Sequence, residues 1–233
     1  MRRTAWGLGS LARDAGFLGV IGIACFAAGA VDAAPTPQVF ALTISVTAFA
    51  DFDHTTAPIQ RLDCETSSRA KGVRTVTFRS SRPTLVRFVG GRLQAVVAGG
   101  LKGTVKLSGT NTSNRLCSGE ETHTPQSCAK TTRSFKNAHA AFSSAAAGSI
   151  TIRPPRVSLR RSSCPEEPDD VVAFPLGPAP GPLHVALATL TNPRISRLTL
   201  RASARRTKNY GSPEDGVVQQ RTAWKLTFVR RGR

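Results

Sequence analysis

The chain has 233 residues, and its 32 lysines and arginines outnumber its 14 aspartates and glutamates, which gives a net charge of +18. This length suits one large domain, and the charge favours an anionic partner. Dispersed basic residues, two tryptophans and one tyrosine argue against a dedicated nucleic-acid binder and against an aromatic platform for sugars.

The N-terminus has the pattern of a signal peptide. Arg2 and Arg3 precede an uncharged, apolar run over residues 15–31, and small residues around Ala33 suit signal peptidase. We therefore expect residues 1–33 to be a signal peptide, with cleavage after Ala30 as a second choice, and residues 34–233 to form a single β-sandwich domain. An uncleaved anchor and a lipoprotein modified at Cys25 are the alternatives. Each of these exports the chain to a secreted or cell-envelope location, and membrane attachment requires that the segment is retained or lipidated.

Alternating apolar and polar residues predict about eight β-strands. The clearest alternation runs over residues 40–48, and a strand with one buried face produces this period of two. No helical segments alternate with the strands, so we expect an all-β, antiparallel two-sheet sandwich of the immunoglobulin-like type. The further predicted strands lie near residues 75–79, 85–89, 93–97, 104–107, 150–152, 197–204 and 224–229.

Little helix is expected. Residues 183–190 could form a short helix that ends before Asn192 and Pro193, and the alanine-rich residues 135–147 could form another. Residues 175–182, with the sequence PLGPAPGP, predict an extended and exposed crossover because proline and glycine disfavour both helix and central strand.

Four cysteines follow the predicted signal peptide: Cys64, Cys117, Cys128 and Cys164. An even number in an exported protein predicts disulfides. Three pairings are possible, and the polar segment shared by Cys117 and Cys128 favours a bridge between them, which leaves Cys64 with Cys164. A zinc site is the alternative, but no close C-x-x-C pair supports it.

One short group of residues could form a metal-binding or catalytic site. Asp51, Asp53 and His54 follow the first strand, and carboxylates beside an imidazole can hold a divalent cation or serve a hydrolase. The same residue types also make a solvated turn, so we expect no metal or catalytic site and keep these three residues as candidates. No nucleotide-binding, zinc-protease or serine-hydrolase motif is present, and nothing predicts a cofactor.

Two acidic groups are better explained as exposed loops. Glu120, Glu121 and His123 lie between Cys117 and Cys128, where exposure would prevent the pKa separation that acid–base catalysis needs. A second acidic cluster follows Cys164, where we expect a solvated loop; pairs with surface arginines and a contact for a basic partner are the alternatives. Its members are Glu166, Glu167, Asp169 and Asp170.

The layout resembles that of uncharacterised exported β-sandwich proteins of high-GC Gram-positive bacteria. The features that carry the resemblance are the signal segment, Asp63-Cys64, the Cys117/Cys128 pair, Cys164-Pro165 and the closing residues 224–228. The resemblance implies export and architecture, and it brings no catalytic residues.

We therefore expect an exported, non-enzymatic protein that acts as a cell-wall or extracellular binding module. Its partner would be an anionic cell-wall polymer or another extracellular protein. The alternative is a secreted hydrolase with a loop-borne site at Asp51, Asp53 and His54.

Overall fold

A computed structural model describes residues 36–155, 157 and 164–232, so the predicted signal peptide and Cys25 lie outside the described residues. Two short helices and eleven strands occur within these ranges. In chain order they are β1 (Gln38–Thr55), β2 (Ile59–Arg61), β3 (Cys64–Ser80), β4 (Thr84–Val89), β5 (Arg92–Leu93), β6 (Val96–Cys117), β7 (Glu120–Ser143), β8 (Ser149–Arg153), α1 (Asp169–Ala173), β9 (Leu183–His184), α2 (Leu187–Thr191), β10 (Arg197–Tyr210) and β11 (Asp215–Arg230).

The strands form one connected sheet in the order β10-β11-β1-β3-β6-β7-β8-β9, with β2 beside β3, β4 beside the start of β1, and β5 beside β4. Every strand pair is antiparallel. The prediction of a mostly antiparallel β fold is thus confirmed. The predicted number of about eight strands is too low, and the two-sheet immunoglobulin-like arrangement is not confirmed.

Strand β1 shows why the sheet has two different faces. Its even-numbered residues from Phe40 to His54 are buried, whereas Ser45, Thr47 and Asp51 on the other side are exposed. Successive side chains of a strand point to opposite faces, so this alternation separates a covered inner face from an open outer face. The same alternation continues through β3, β10 and β11.

Aromatic side chains fill the inner face at one end of the sheet. Phe40 meets Phe88 edge to face at a centroid distance of 5.7 Å, and Phe228 lies 5.9 Å from Phe88. Trp224 packs against Phe78 at 5.6 Å. All five are nearly inaccessible to solvent, and full burial of such a side chain stabilises the fold by about 1.5–3 kcal/mol.

The inner face is covered by a mostly irregular segment, residues 164–195, which we call the covering segment. Three of its residues are buried against the sheet: Val171 of α1, Leu190 of α2, and Leu176 between the two helices. The expectation that residues 175–182 are exposed is therefore wrong, because Leu176 inserts into the core. The helix predicted over 183–190 is confirmed only at its end, since residues 183–184 pair with β8 as β9.

Two facing glycines lie where neighbouring atoms leave no room for a side chain. Gly72 in β3 lies opposite Gly109 in β6, and a Cβ on Gly72 would meet the ring of Phe52 at 2.6 Å and Pro165 at 3.0 Å. A side chain at Gly72 would therefore press on Phe52 and on the covering segment, whereas one at Gly109 would meet the backbone of Lys71 in β3. Beside them, Arg74 donates to Glu167 at 2.8 Å, and both side chains are buried.

The disulfides join Cys64 to Cys117 and Cys128 to Cys164. All four cysteines are paired as predicted, but the predicted partners are wrong. Cys117 lies opposite Glu120, and Cys128 lies opposite Gly109, so Cys117 and Cys128 are separated by eight residues along the ladder, or about 27 Å. Cys64 and Cys117 instead face each other on neighbouring strands, with Cα atoms 4.2 Å apart.

The second predicted helix, over residues 135–147, is also wrong. Residues 135–143 form the end of β7, where Phe142 pairs with Val96 of β6 and with Ile152 of β8. Tertiary pairing thus overrides the helical preference of alanine in this segment. No helix in the described part of the chain is long and apolar enough to cross a membrane.

Candidate functional site

The open outer face of the sheet carries three parallel rows of side chains that run across the strands. Their alignment follows from the register, because residues directly opposite each other share a face and neighbouring strands lie about 4.8 Å apart. Successive rows are two residues apart along each strand. The middle row contains small residues, and basic residues lie on either side of it.

The middle row, which we call the trough floor, crosses six strands. No side chain in it is longer than threonine, and all but one carry a hydroxyl group. The hydroxyl groups of Thr77 and Thr104 lie 3.0 Å apart. In order across the sheet, the floor consists of Ser203, Ala223, Thr47, Thr77, Thr104 and Ser134.

Basic side chains form a wall along each side of the floor. The two walls are four residues apart along the strands, so their Cα rows lie about 14 Å from each other. Every basic residue in them is exposed. The first wall contains Arg201, Lys225, Arg79 and Lys102, and the second contains Arg205, Arg221 and Lys106.

Shallow depressions follow the floor and its walls. One of about 580 Å³ is lined by Thr47, Thr77, Arg79, Lys102 and residues of β7. A second, of about 350 Å³, lies between β1, β10 and β11 and shares Ser45 and Thr47 with the first. The two depressions are therefore continuous across the centre of the sheet.

The seven wall cations have no acidic partner among the residues that the structure describes. The nearest described carboxylates of this face lie beyond the second wall, at Asp51 and Asp53, and Asp215 lies further out, opposite Thr55. Asp53 is already engaged, because Arg69 donates to both of its oxygens at 2.8 Å. The hydrogen bond from Arg69 is the main reason that the pKa of Asp53 lies below its ordinary value.

Phe49 is the only aromatic residue in the three rows, and it is not free for stacking. The guanidinium of Arg221 lies over its ring, 4.3 Å from the centroid. This contact orients Arg221 along the face, and it occupies the ring surface on which a sugar or base would otherwise stack.

The candidate residues Asp51, Asp53 and His54 are not brought together. Asp51 and Asp53 lie on the outer face, whereas His54 is on the inner face and only 8% exposed. Alternation along β1 explains the separation, because neighbouring residues of a strand point in opposite directions. No group of three or more metal-ligating side chains occurs in the described ranges.

His54 lines a separate polar pocket of about 200 Å³ beneath the covering segment. Its Nε2 lies 3.5 Å from an oxygen of Glu214, and its ring is 4.2 Å from that of Tyr210. Across the pocket, Asp170 contacts Lys208 at 2.8 Å and Arg206 at 3.1 Å. The contacts of Asp170 with Lys208 and Arg206 hold the covering segment against the sheet.

The two acidic groups predicted as loops have different roles. Glu120, Glu121 and His123 are exposed as expected, but the predicted loop is wrong, because they lie in strand β7. There His123 is 3.7 Å from Glu121. In the second group, Glu167 and Asp170 pair with basic residues of the sheet. Pairing with arginines, which was an alternative, is thus observed, whereas the expected solvated loop is wrong for Glu167, because the Arg74–Glu167 pair is buried.

Sequence reasoning missed the trough. It detected the alternation of Arg197, Thr199 and Arg201 in one strand, but the rows exist only when six strands are aligned in register. The usable signal was the recurrence of threonine, serine, lysine and arginine at the polar positions of each predicted strand.

Comparisons with known proteins add no function. The chain matches no protein-family model, and comparison with curated proteins and with solved structures finds no similar protein.

Proposed function

We propose that this protein is an exported, non-enzymatic binding module that holds an anionic polymer on the outer face of its sheet. The observation that carries the proposal is the alignment of seven exposed cations, without described acidic partners, on either side of the trough floor. Such a surface attracts polyanions over a distance and gains free energy from released counterions.

Export is supported by the cysteines. Two disulfides join the four cysteines of the described residues, and structural disulfides persist in oxidising compartments outside the cytosol. The predicted signal peptide agrees with this location. A cell-wall or extracellular polymer is therefore the partner that we propose.

The alternative of a secreted hydrolase has no geometric support at the residues that suggested it. A hydrolytic site needs its acid, base and nucleophile within reach of one substrate. Asp53 is paired with Arg69 on one face of β1, and His54 is buried on the other.

A salt titration of polymer binding tests the proposal. Affinity for long-chain inorganic polyphosphate should fall linearly with salt on a double-logarithmic plot, with a slope of about 0.7 per neutralised phosphate if the polymer behaves like a single nucleic-acid strand. Replacing two wall cations (Arg79→Gln/Arg201→Gln) should weaken binding and reduce the slope.

The matched control removes two exposed arginines elsewhere (Arg61→Gln/Arg194→Gln) and changes the net charge equally. It should retain most of the affinity. Equal losses in the two variants would show that the binding depends on net charge and not on the outer face, and that result would overturn the proposal.

A further inference from the structure

The outer face favours an anionic polymer, and it also restricts the path that such a polymer can follow. Its smallest side chains form one continuous line across six strands, the trough floor, and all seven wall cations stand beside this line. A chain that followed the strands would cross the walls and then meet Asp51 or Asp53. A chain that crosses the strands stays between the two walls from β10 to β6, over about 19 Å.

The side chains of the trough suit phosphate. Four of the seven wall cations are arginines, whose guanidinium groups can bind two phosphate oxygens at once. The floor offers hydroxyl donors between the walls at Thr47 and at the Thr77–Thr104 pair, in which one hydroxyl donates to the other and the second can donate to a ligand. A tetrahedral phosphate directs its oxygens out of one plane, so it can accept from a wall and from the floor together, whereas a carboxylate holds its two oxygens in one plane and offers fewer acceptor directions.

The trough also disfavours polymers that carry bases. Phe49, the one aromatic residue in the three rows, is covered by Arg221, and Phe78 and Phe135, which also line the larger depression, belong to the core of the inner face. The base stacking that strengthens binding of single-stranded nucleic acid is therefore missing. A duplex would rest on the ends of the wall side chains and leave the hydroxyl groups of the floor unused.

We propose that the ligand is a linear phosphate polymer without bases, which lies in the trough across the strands and between the two walls. This inference rests on the proposed function and adds the chemical class and the course of the polymer. Inorganic polyphosphate and poly(glycerol phosphate) share this chemistry, and binding measurements with each of them separate the two sources.

The test fills the trough without changing its charge. In the floor variant, Thr77→Gln/Thr104→Gln, longer side chains occupy the polymer's path and displace the hydroxyl donors. Loss of at least one hydrogen bond to a charged group should weaken binding of either phosphate polymer on the order of tenfold or more. The control variant, Thr199→Gln/Thr207→Gln, makes the same change in the rows outside the two walls and should bind like the wild type.

Affinity is measured for both phosphate polymers, for poly-L-glutamate and for duplex DNA at the same salt concentration, and thermal unfolding verifies that each variant is folded. We expect the phosphate polymers to bind most tightly. Equal binding by the floor and control variants, or equal wild-type affinity for all four polymers, would overturn this inference and leave the proposed function standing. Absence of binding to every polyanion would overturn both.

Discussion

At the residue scale, the buried pair of Arg74 and Glu167 is the most consequential polar contact of the inner face. Arg74 is 2% exposed, and its guanidinium also donates to the carbonyl of Val171. Burial lowers the pKa of Arg74, while the charge and hydrogen bond of Glu167 oppose that effect. The pair therefore depends on both partners.

Replacing Arg74 alone should be strongly destabilising. Arg74→Met leaves Glu167 buried without its cation, and we expect a loss of about 3–5 kcal/mol in the free energy of unfolding. The double variant Arg74→Met/Glu167→Leu should recover much of this loss because no charge stays buried. Denaturant titration measures both effects.

The control for this experiment is Arg69→Met, which removes an arginine from the exposed pair with Asp53. Exposed pairs contribute about 0–1 kcal/mol. If Arg74→Met cost no more than Arg69→Met, the buried pair would not hold the covering segment as described.

The sequence predicted much of the chain at this scale. Alternation identified the inward residues of β1, β10 and β11, because apolar side chains mark the buried face directly. Asp51, Asp53 and His54 could not be resolved in the same way, because a cluster in sequence is split when the strand continues through it. The polar half of β7 was missed because it buries almost nothing that a hydrophobic pattern could reveal.

At the scale of elements, the two disulfides should have different effects. The Cys64–Cys117 bridge joins neighbouring strands that the ladder already pairs, whereas the Cys128–Cys164 bridge attaches the covering segment to β7. Each closes a loop worth about 4 kcal/mol by the chain-entropy argument. The two disulfides therefore differ more in which part of the chain they hold than in how much they stabilise the fold.

We expect Cys128→Ser/Cys164→Ser to increase amide hydrogen exchange in the covering segment, including α1. Cys64→Ser/Cys117→Ser should increase exchange near the ends of β3 and β6 and leave α1 protected. Hydrogen exchange followed by mass spectrometry distinguishes the two patterns. Identical patterns in the two variants would contradict the anchoring role of Cys164.

Asp170 makes the attachment of the covering segment dependent on pH. Partial burial alone would raise its pKa, but the hydrogen bond and charge of Lys208, together with Arg206, outweigh burial and hold the pKa below the ordinary value of 3.8. A depressed pKa means that the stabilisation is complete above this ordinary value and is lost as the pH falls further.

Asp170→Asn should therefore lower the melting temperature at neutral pH, and the difference from wild type should shrink below about pH 4. Asp51→Asn, an exposed change on the outer face without a described ion pair, serves as the control and should have little effect at either pH. A difference at Asp170 that grew towards acid would contradict the assigned direction of the pKa shift.

The elements show where sequence reasoning stopped. The hairpin at Gly90 and Gly91 was predictable, because both glycines take positive φ angles at a tight turn between β4 and β5. The disulfide partners were not, because Cys117 and Cys128 are near in sequence but lie at different levels of the β6–β7 ladder. The position of Leu176 in the core likewise depends on where the crossover runs.

At the scale of the whole molecule, the covering segment and the core occupy one face of the sheet and leave the other face open. An open sheet face normally mixes charges of both signs for solubility. Here the three central rows carry cations and no carboxylates, and the nearby Asp53 is neutralised by Arg69. Seven of the 32 basic residues thus lie beside the path that a polymer can take.

Lysine footprinting in the presence of long-chain polyphosphate tests this account most directly. Polymer on the outer face should protect Lys102, Lys106 and Lys225 from acetylation and leave Lys208, on the opposite side of the sheet, as reactive as in the free protein. Equal protection at all four lysines, or protection at Lys208 alone, would contradict polymer binding on the outer face.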